Sequence, residues 1–503
     1  MPQLRNIVMT IAALSLAACK VGPNFETPHE PVPQQYSGVN SGGAEASRQP
    51  STDSGNSFWW RQFHDGELDR LEERAAAGNL DLQGAYLRIV EARIQVQLAR
   101  AQGVPSLNAS ASYDREQLGL AGIIKSQGGF GGAASPSTEA LISKLEQPVN
   151  LYQLGFDASW ELDLFGKVRR SVEAADAHSA GAVESRNDLL ISLQAEVAQT
   201  YFQLRAGQVQ RGITLDLISA QGDILELTRN RQIHGLANEN DVDSAQAQLS
   251  SLQSELPAYE QTVETSRHAL AVLTGQVPEA LEGEFAVAGE LPAVPAGIPV
   301  GLPSTLARRR PDIRGSEAAL HAATAQVGVS VASLFPDISL TGTLGLRNLS
   351  TRYLFDWDSK FYTFGPSISI PIFHGGALIA TVRLFRAQAA EAALSYRKTV
   401  FGALQEVEDG LTALQQDRLR AASLQAAVAA DQRALDVNLD SYRHGLISYV
   451  SVLTVQLQVA QARQQLAQAQ HAETTEVVKL YKALGGGWSD AQAASTANAA
   501  DAR

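Results

Sequence analysis

Apolar and polar residues alternate along four short stretches of the chain, a pattern that predicts β-strands with one apolar and one polar face. The alternation is strict over residues 151–164, clear over 338–346 and 362–372, and weakest over 107–113. The lengths of the four stretches lie around the ~9–11 residues that a tilted transmembrane strand needs. Edge strands of a soluble sheet would show the same weak signal, so both interpretations remain open at this point.

Elsewhere apolar residues recur in steps of three and four, the spacing of a coiled-coil helix. The first such segment, residues 166–232, contains no proline and predicts a helix about 100 Å long at ~1.5 Å per residue. The glycine and leucine at Gly235 and Leu236 end this helix, and a second helix returns as far as Gly275. The sequence therefore predicts a very long helical hairpin.

This hairpin is present twice. A shift of 210 residues places the His-Gly-Leu triplet at 234–236 on the triplet at 444–446, and the closing Gly275 on Gly485, without a gap. A second shift, of 231 residues, aligns the helix and the strand that precede each hairpin. The glycine-rich stretch 118–140, a predicted loop of the first copy, accounts for the difference between the two shifts. The chain is therefore predicted to be an internal duplication.

The first residues predict a processed and lipidated N-terminus. Arg5 and a short apolar run precede Leu16-Ala17-Ala18-Cys19, which fits the bacterial lipobox, whose cysteine receives a diacylglycerol and an N-acyl chain. An ordinary signal peptide followed by a chance cysteine is the alternative, although Cys19 is the only cysteine in the chain. Lys20 rather than an aspartate follows Cys19, so we expect the protein to be located at the outer membrane.

Residues 20–57 are rich in proline, glycine and serine and predict an extended tether. Trp59, Trp60 and Phe63 then mark the point where the chain docks onto folded structure. The predicted segments are a signal peptide (1–18), the lipidated tether (19–57), a first repeat (58–275), a linker (276–301), a second repeat (302–485) and a disordered tail (486–503).

Composition and motifs exclude several classes of protein. The net charge of −13 argues against a nucleic-acid partner. We find no nucleophile elbow, phosphate-binding loop or zinc-protease motif, so we predict neither an enzyme nor a cofactor beyond the N-terminal lipid. His234 and His444 recur beside the turns without metal-ligand spacing, and the acidic stretch 238–243 lacks the glycine and the distal glutamate of a calcium loop. The arginines at 308–310 are interpreted as a helix-start cluster rather than a binding patch.

Four strands per chain cannot close a barrel, and a sheet in a membrane has to close because its edges find no hydrogen-bond partners there. Two copies would give an eight-stranded barrel, whose interior is just filled by side chains. Three copies would give a twelve-stranded barrel with room for a conduit. The sequence therefore predicts that three copies assemble, with long helices continuing the barrel as a hollow wall.

The chain resembles the outer-membrane efflux proteins (TolC-like outer membrane factors), most closely the NodT-type lipoprotein branch that serves drug-efflux systems of the resistance-nodulation-division type. The resemblance covers nearly the whole mature chain. It rests on four motifs, which are Cys19-Lys20-Val21-Gly22-Pro23-Asn24-Phe25, Phe58-Trp59-Trp60 with Phe63, the arginine-rich segment 302–314, and the segment 365–376 around Pro366 and Pro371.

The resemblance implies a mixed α and β membrane protein, a homotrimer whose twelve-stranded outer-membrane β-barrel is continued by a periplasmic α-helical coiled-coil barrel. It implies the exit duct of a tripartite pump, anchored to outer-membrane lipid, with a periplasmic membrane-fusion adaptor and an inner-membrane transporter of the resistance-nodulation-division type as partners. Two alternatives stay open: the duct of a protein secretion system, and a structural coiled-coil lipoprotein or adaptor without a channel.

The resemblance also implies roles for residues at the hairpin turns. Gly235, Leu236, Gly445 and Leu446 are expected to form the periplasmic tips that contact the adaptor. Relatives often carry pore-lining aspartates at the positions of Ser451 and Thr454, where this chain has none. Asp241 and Tyr442 stand where relatives often place a carboxylate and its hydrogen-bond partner, so we expect this pair to hold the entrance shut. A second and compatible interpretation is that Asp241 caps a helix.

Overall fold

The structure is a computed structural model that describes residues 20–28, 31–33, 35–36, 57–117, 147–295, 297–298, 300 and 303–488. The predicted signal peptide, Cys19, most of the tether and the loop 118–140 lie outside these residues. The chain divides into two compact units. The first comprises Met1–Glu26, Arg93–Ala177 and His321–Glu391, and the second comprises Thr27–Ala92, His178–Leu320 and Ala392–Arg503.

The described part of the chain consists mainly of helices, with one antiparallel sheet. None of the described helices is both long and apolar enough to cross a membrane. In chain order the elements are α1 (Gly66–Gly78), α2 (Leu80–Ala101), β1 (Ser106–Glu116), β2 (Val149–Glu161), α3 (Lys167–Ile233), α4 (Glu239–Leu273), α5 (Pro303–Arg309), α6 (Pro311–Ala332), β3 (Asp337–Asn348), β4 (Lys360–Ser369), α7 (Ala377–Arg443) and α8 (Tyr449–Ala483).

The helices reproduce the predicted duplication residue for residue. The long helices α3 and α7 each contain 67 residues, and the return helices α4 and α8 each contain 35. Both ends of α7 and of α8 lie 210 positions after those of α3 and α4, while α6 begins and ends 231 positions after α2. The two helical hairpins predicted from apolar spacing are therefore confirmed.

The sheet of the first unit has the order β1-β2-β3-β4, with every neighbouring pair antiparallel. Its register collects apolar side chains on one face: Ala109 pairs with Phe156, and Phe156 pairs with Leu344. Leu344 in turn pairs with Tyr362 on the last strand. Phe156, Leu344 and Tyr362 are all exposed. The opposite face carries polar residues such as Ser110, whose hydroxyl donates to Asp157. The four strands and their one-sided apolar character are as predicted.

Two strands end earlier than the alternation predicts. Strand β2 stops at Glu161 rather than residue 164, because the Asp163 carboxylate accepts hydrogen bonds from the backbone N–H groups of Val168 and Arg169 and caps α3 instead. Strand β4 stops at Ser369 rather than residue 372, two residues before Pro371, which has no N–H to donate.

The core of the second unit is built around aromatic side chains. Trp59, Trp60 and Phe63 are buried as predicted, and the Trp59 ring stacks on Tyr481 with the ring centroids 5.3 Å apart. The predicted tail was expected to be disordered from residue 486, and this expectation is wrong for its first three residues. Trp488 packs against the core, and its indole Nε1 donates to the Arg309 carbonyl at 3.1 Å. The remaining tail residues lie outside the described part of the chain.

The arginine-rich motif holds the second repeat together. Arg310 donates to the Ala483 carbonyl at the end of α8 and to the carboxylates of Asp312 and Glu406, at 2.7–3.0 Å. At the equivalent place in the first repeat, the Asn79 amide donates to the Leu273 carbonyl at the end of α4. Both side chains satisfy a helix-terminal carbonyl that has no partner within its own helix. Arg310 therefore has a structural role, whereas the interpretation of residues 308–310 as a helix-start cluster stays a prediction.

Candidate functional site at the hairpin turns

The two hairpin turns have the same backbone geometry. Gly235 and Gly445 each have a φ of 74°, the left-handed conformation that favours glycine. Their N–H groups donate to the carbonyls of Gln232 and Tyr442, and the N–H groups of the following leucines reach one residue further back, to Arg231 and Ser441. This pair of hydrogen bonds is a Schellman motif, which ends a helix by satisfying its last carbonyls.

The leucines of these turns are largely exposed. In a Schellman motif the residue after the glycine often packs against the last turn of the helix. Leu236 is instead 69% exposed and Leu446 is 76% exposed. Each hairpin therefore presents an exposed leucine at its turn, and the contact of these turns with a partner stays a prediction.

The first return helix begins with a complete capping box. The Asn238 side chain accepts from the Asp241 N–H at 2.9 Å, and the Asp241 carboxylate accepts from the Asn238 N–H at 3.0 Å. Among the described residues no hydrogen bond joins Asp241 to Tyr442 within one chain. The helix-cap interpretation of Asp241 is confirmed, and its pairing with Tyr442 stays a prediction.

The second return helix is capped without a carboxylate. The Ser448 hydroxyl accepts from the Ser451 N–H at 3.4 Å and lies 3.1 Å from the Ser451 hydroxyl. Ser451 and Thr454 are exposed, while Val452 and Leu453 between them are buried. The two predicted entrance residues therefore share one exposed helix face that carries hydroxyl groups and no charge.

Tyr442 lies beside the same turn. Its ring packs on Tyr449 across the turn, with the centroids 5.1 Å apart, and its side chain remains exposed. His234 and His444 each place their Nδ1 atom within 3 Å of a carbonyl one helical turn earlier. Among the described residues no cluster of three or more His, Cys, Asp or Glu side chains is placed to hold a metal ion.

A second functional element, which the sequence did not predict, is a clasp formed by Arg170, Glu173 and His321 around the segment that follows Cys19. Arg170 is completely buried. Its guanidinium donates to the carbonyls of Val21 and Gly22 at 3.1 and 3.2 Å. It also donates to the Asn24 side chain, at 2.8 Å. The predicted tether is therefore fixed to the first unit at its beginning.

The clasp also explains two neighbouring residues of the same motif. Gly22 has a φ of 89°, and a Cβ there would come within 2.6 Å of the Gly328 backbone, so only glycine fits. Phe25 stacks on His321 with the ring centroids 4.4 Å apart. The motif after Cys19 is thus a docking sequence, recognised through backbone carbonyls, an amide and one aromatic ring.

Glu173 is the anionic centre of the clasp. Burial alone would raise its pKa, but hydrogen bonds from Lys20, Arg170 and His321 outweigh burial and lower the pKa from 4.5 to about 2. Because the pKa of Glu173 is lower in the folded than in the unfolded state, its charge stabilises the fold at pH values above the pKa of the unfolded state. This contribution is lost as the pH falls through the folded value.

We therefore expect acid to weaken the clasp between about pH 4.5 and about pH 2. The unfolding midpoint of the purified protein in detergent, followed by far-ultraviolet circular dichroism, should fall across this window. A Glu173→Gln variant lacks this titration, so its midpoint should be lower at neutral pH and should fall less on acidification. If the unfolding midpoints of the two proteins fell by the same amount with pH, the role of Glu173 in the clasp would be contradicted.

Comparisons with known proteins agree with this architecture. Residues 71–276 and 302–486 both match the model of the outer membrane efflux protein family. The probable efflux pump outer membrane protein TtgC of Pseudomonas putida is 31% identical over 482 residues, which cover 95% of either chain. Nodulation protein T of Rhizobium leguminosarum bv. viciae is 30% identical over 490 residues, 97% of this chain and 95% of that protein.

Among solved structures, the outer-membrane channel OprN superposes on this chain with a TM-score of 0.80 at 33% identity. The match covers 93% of this chain and all of that one. Both repeats, the four-stranded sheet and the paired helical hairpins are thus accounted for by one family. The chain belongs to the outer membrane efflux protein family, and it is an outer-membrane efflux channel rather than an enzyme.

Proposed function

We propose that three copies of the chain form one twelve-stranded barrel in the outer membrane and serve as the exit duct of a tripartite efflux pump. The observation that carries this proposal is the sheet. An exposed apolar face spans all four strands, and among the described residues the first and last strands each have one unpaired edge. Such edges cannot remain unpaired in a bilayer, and three copies supply enough strands for a conduit.

The exported compounds are small molecules, and the energy for their export comes from the partner proteins of the pump. Transport through the duct requires no chemistry in this chain. The partners are a periplasmic membrane-fusion adaptor, which covers Leu236 and Leu446, and an inner-membrane transporter of the resistance-nodulation-division type. Lipidation of Cys19 anchors each copy, and the clasp around Lys20 fixes the start of the mature chain beside that anchor.

A planar-bilayer recording tests the proposal. Protein extracted from isolated outer membranes should insert spontaneously and give discrete, uniform conductance steps. A structural lipoprotein or an adaptor without a pore would give none. Protein that is folded by circular dichroism but silent in repeated recordings would contradict the channel assignment.

The entrance is held closed by a hydrogen bond between Asp241 and Tyr442 of neighbouring hairpins. A Tyr442→Phe change removes only the hydroxyl and keeps the ring contact with Tyr449, so we expect a several-fold larger conductance and an unchanged unfolding midpoint. Tyr449→Phe is the matched control and should conduct like the parent. Equal conductance for all three proteins would mean that Asp241 only caps its helix.

A further inference from the structure

The polar face of the sheet carries a single cation among the described strand residues. The register that pairs Ala109 with Phe156 places the even-numbered residues of β1 and the odd-numbered residues of β2, β3 and β4 on this face. The cation is Arg347, near the end of β3. The other charged residues of the face are all acidic, namely Asp114, Glu116, Asp157, Glu161 and Asp337. One arginine is therefore set into an otherwise acidic surface.

Two neighbours hold the Arg347 guanidinium against the sheet. Its Nε and Nη2 atoms donate to the Oε1 atom of Gln153, the residue directly opposite on β2, at 2.9 and 2.7 Å. The guanidinium carbon lies 4.5 Å from the centroid of the Phe361 ring, within the range of a cation–π contact. The side chain is thus fixed by one neutral amide and one aromatic ring.

Two glycines make room for this arrangement. Gly155 pairs with Gly345, and Gly345 pairs with Phe361. A Cβ atom at Gly345 would come within 3.0 Å of the Phe361 Cε1 and 2.8 Å of the Gly155 Cα, and both distances are shorter than ordinary van der Waals contact. A larger residue at Gly345 would therefore displace the ring and the guanidinium that covers it.

These contacts leave Arg347 charged and leave one pair of its donors free. Gln153 is neutral, and among the described residues no carboxylate forms an ion pair with Arg347. Gln153 takes the edge of the guanidinium formed by Nε and Nη2, so the fork between Nη1 and Nη2 remains on an exposed side chain. Such a fork matches two oxygens of a carboxylate, a sulfonate or a phosphate. Arg347 is therefore held ready to bind an anionic group.

The acids on the strands of this face are too distant to neutralise Arg347. Neighbouring strands lie about 4.8 Å apart, and each residue advances about 3.3 Å along a strand. By the register, the Cα atoms of Asp114 and Asp157 thus lie roughly 12 and 14 Å from that of Arg347. Both separations exceed the Debye length of about 8 Å at physiological ionic strength. An anion at Arg347 is attracted by the guanidinium more strongly than these carboxylates repel it.

We propose that Arg347 is an anion site in the conduit, which binds the carboxylate, sulfonate or phosphate group of small organic acids as they leave. This inference rests on the proposed barrel, whose apolar face lies in lipid and whose polar face lines the conduit. Arg347 is one residue before the end of β3, whereas α6 and α3 adjoin the other end of the sheet. Cargo from the helical end reaches it last. Three copies supply three guanidiniums, and arginines that line a pore favour anions.

Reversal potentials test the anion site. The parent and an Arg347→Gln variant would be inserted in planar bilayers across a gradient of sodium benzenesulfonate. The measured quantity is the permeability of benzenesulfonate relative to sodium, at low ionic strength, where screening is weakest. Glutamine removes both the charge and the free fork. We expect the relative permeability to fall several-fold in Arg347→Gln.

The matched control is Arg115→Gln. Arg115 lies at the same end of the sheet but on the apolar face, where it pairs with Asn150. Its removal leaves the polar face unchanged, so the relative permeability should equal that of the parent. Arg347→Lys is a second variant, in case Arg347→Gln does not fold. It keeps the charge but not the fork, so we expect a smaller fall than in Arg347→Gln.

The outcomes separate this inference from the proposed function. A several-fold fall in Arg347→Gln, a smaller fall in Arg347→Lys and none in Arg115→Gln would support the anion site. Equal relative permeability in all four proteins, each trimeric and conducting, would overturn the site and leave the channel in place. A lower unfolding midpoint of Arg347→Gln without a change in permeability would make Arg347 a brace between strands only. A parent that does not conduct would overturn the site and the proposed function together.

Discussion

Replacing Leu236 and Leu446 together by aspartate is expected to abolish export while leaving the assembled channel intact. Both leucines lie at glycine turns and are largely exposed, so the fold should tolerate the change. An adaptor that covers them would have to bury two unpaired carboxylates per copy, and burying an unpaired charge carries a large free-energy cost. Export is measured as survival of cells on a compound that the complete pump removes.

The control for this prediction is Val287→Asp. Val287 is an exposed apolar residue of the second unit that lies far along the chain from both turns. We expect this variant to export like the parent, and all three proteins to give the same native mass and conductance. Normal export by the double aspartate variant would show that the turns do not contact the adaptor.

Replacing Arg170 by leucine is expected to release the segment that follows Cys19 and to destabilise the first unit. Arg170 is fully buried and donates to Val21, Gly22 and Asn24 as well as to Glu173. The substitution removes the hydrogen bonds that the buried guanidinium donates, and hydrogen bonds to charged groups contribute roughly 1.5–3 kcal/mol each. We therefore expect a large fall in the unfolding midpoint.

Limited trypsin digestion measures the local effect. Cleavage after Lys20 yields a chain that begins at Val21, and mass spectrometry counts that species. We expect this product to form much faster in Arg170→Leu than in the parent. Arg211→Leu is the control, because the Arg211–Glu260 pair is exposed and 3.6 Å long, and such pairs contribute about 0–1 kcal/mol. Equal cleavage rates in all three proteins would contradict the clasp.

Periodicity and duplication predicted most of the fold because both are local or repetitive signals. The predicted long helix, residues 166–232, differs from the observed Lys167–Ile233 by one residue at each end. The Gly-Leu turns were found because a left-handed glycine is needed to end each helix. The strand ends were predicted less accurately, because the alternation of apolar and polar residues carries no information on hydrogen bonds. Asp163 accepts hydrogen bonds from the start of α3, and Pro371 has no N–H to donate.

The contacts that the sequence did not reveal join residues far apart in the chain. Arg170 meets Val21 across 149 positions, and no periodic pattern marks either residue. Trp488 meets Arg309 across 179 positions and was assigned to a disordered tail because its neighbours are small and polar. At the turns, the helix-capping role of Asp241 followed from its position just after the turn. Its pairing with Tyr442 would form between hairpins of different copies, so the structure of one chain does not show it.

The native mass of the protein tests the central claim most directly. It would be extracted in mild detergent from separated outer membranes and weighed by native mass spectrometry, which resolves bound lipid and detergent from the number of chains. The account predicts three chains in that membrane fraction, because two four-stranded copies would make a barrel that side chains fill, whereas three make one with room for a conduit. A monomer, a dimer or a protein released in soluble form from the periplasm would contradict it.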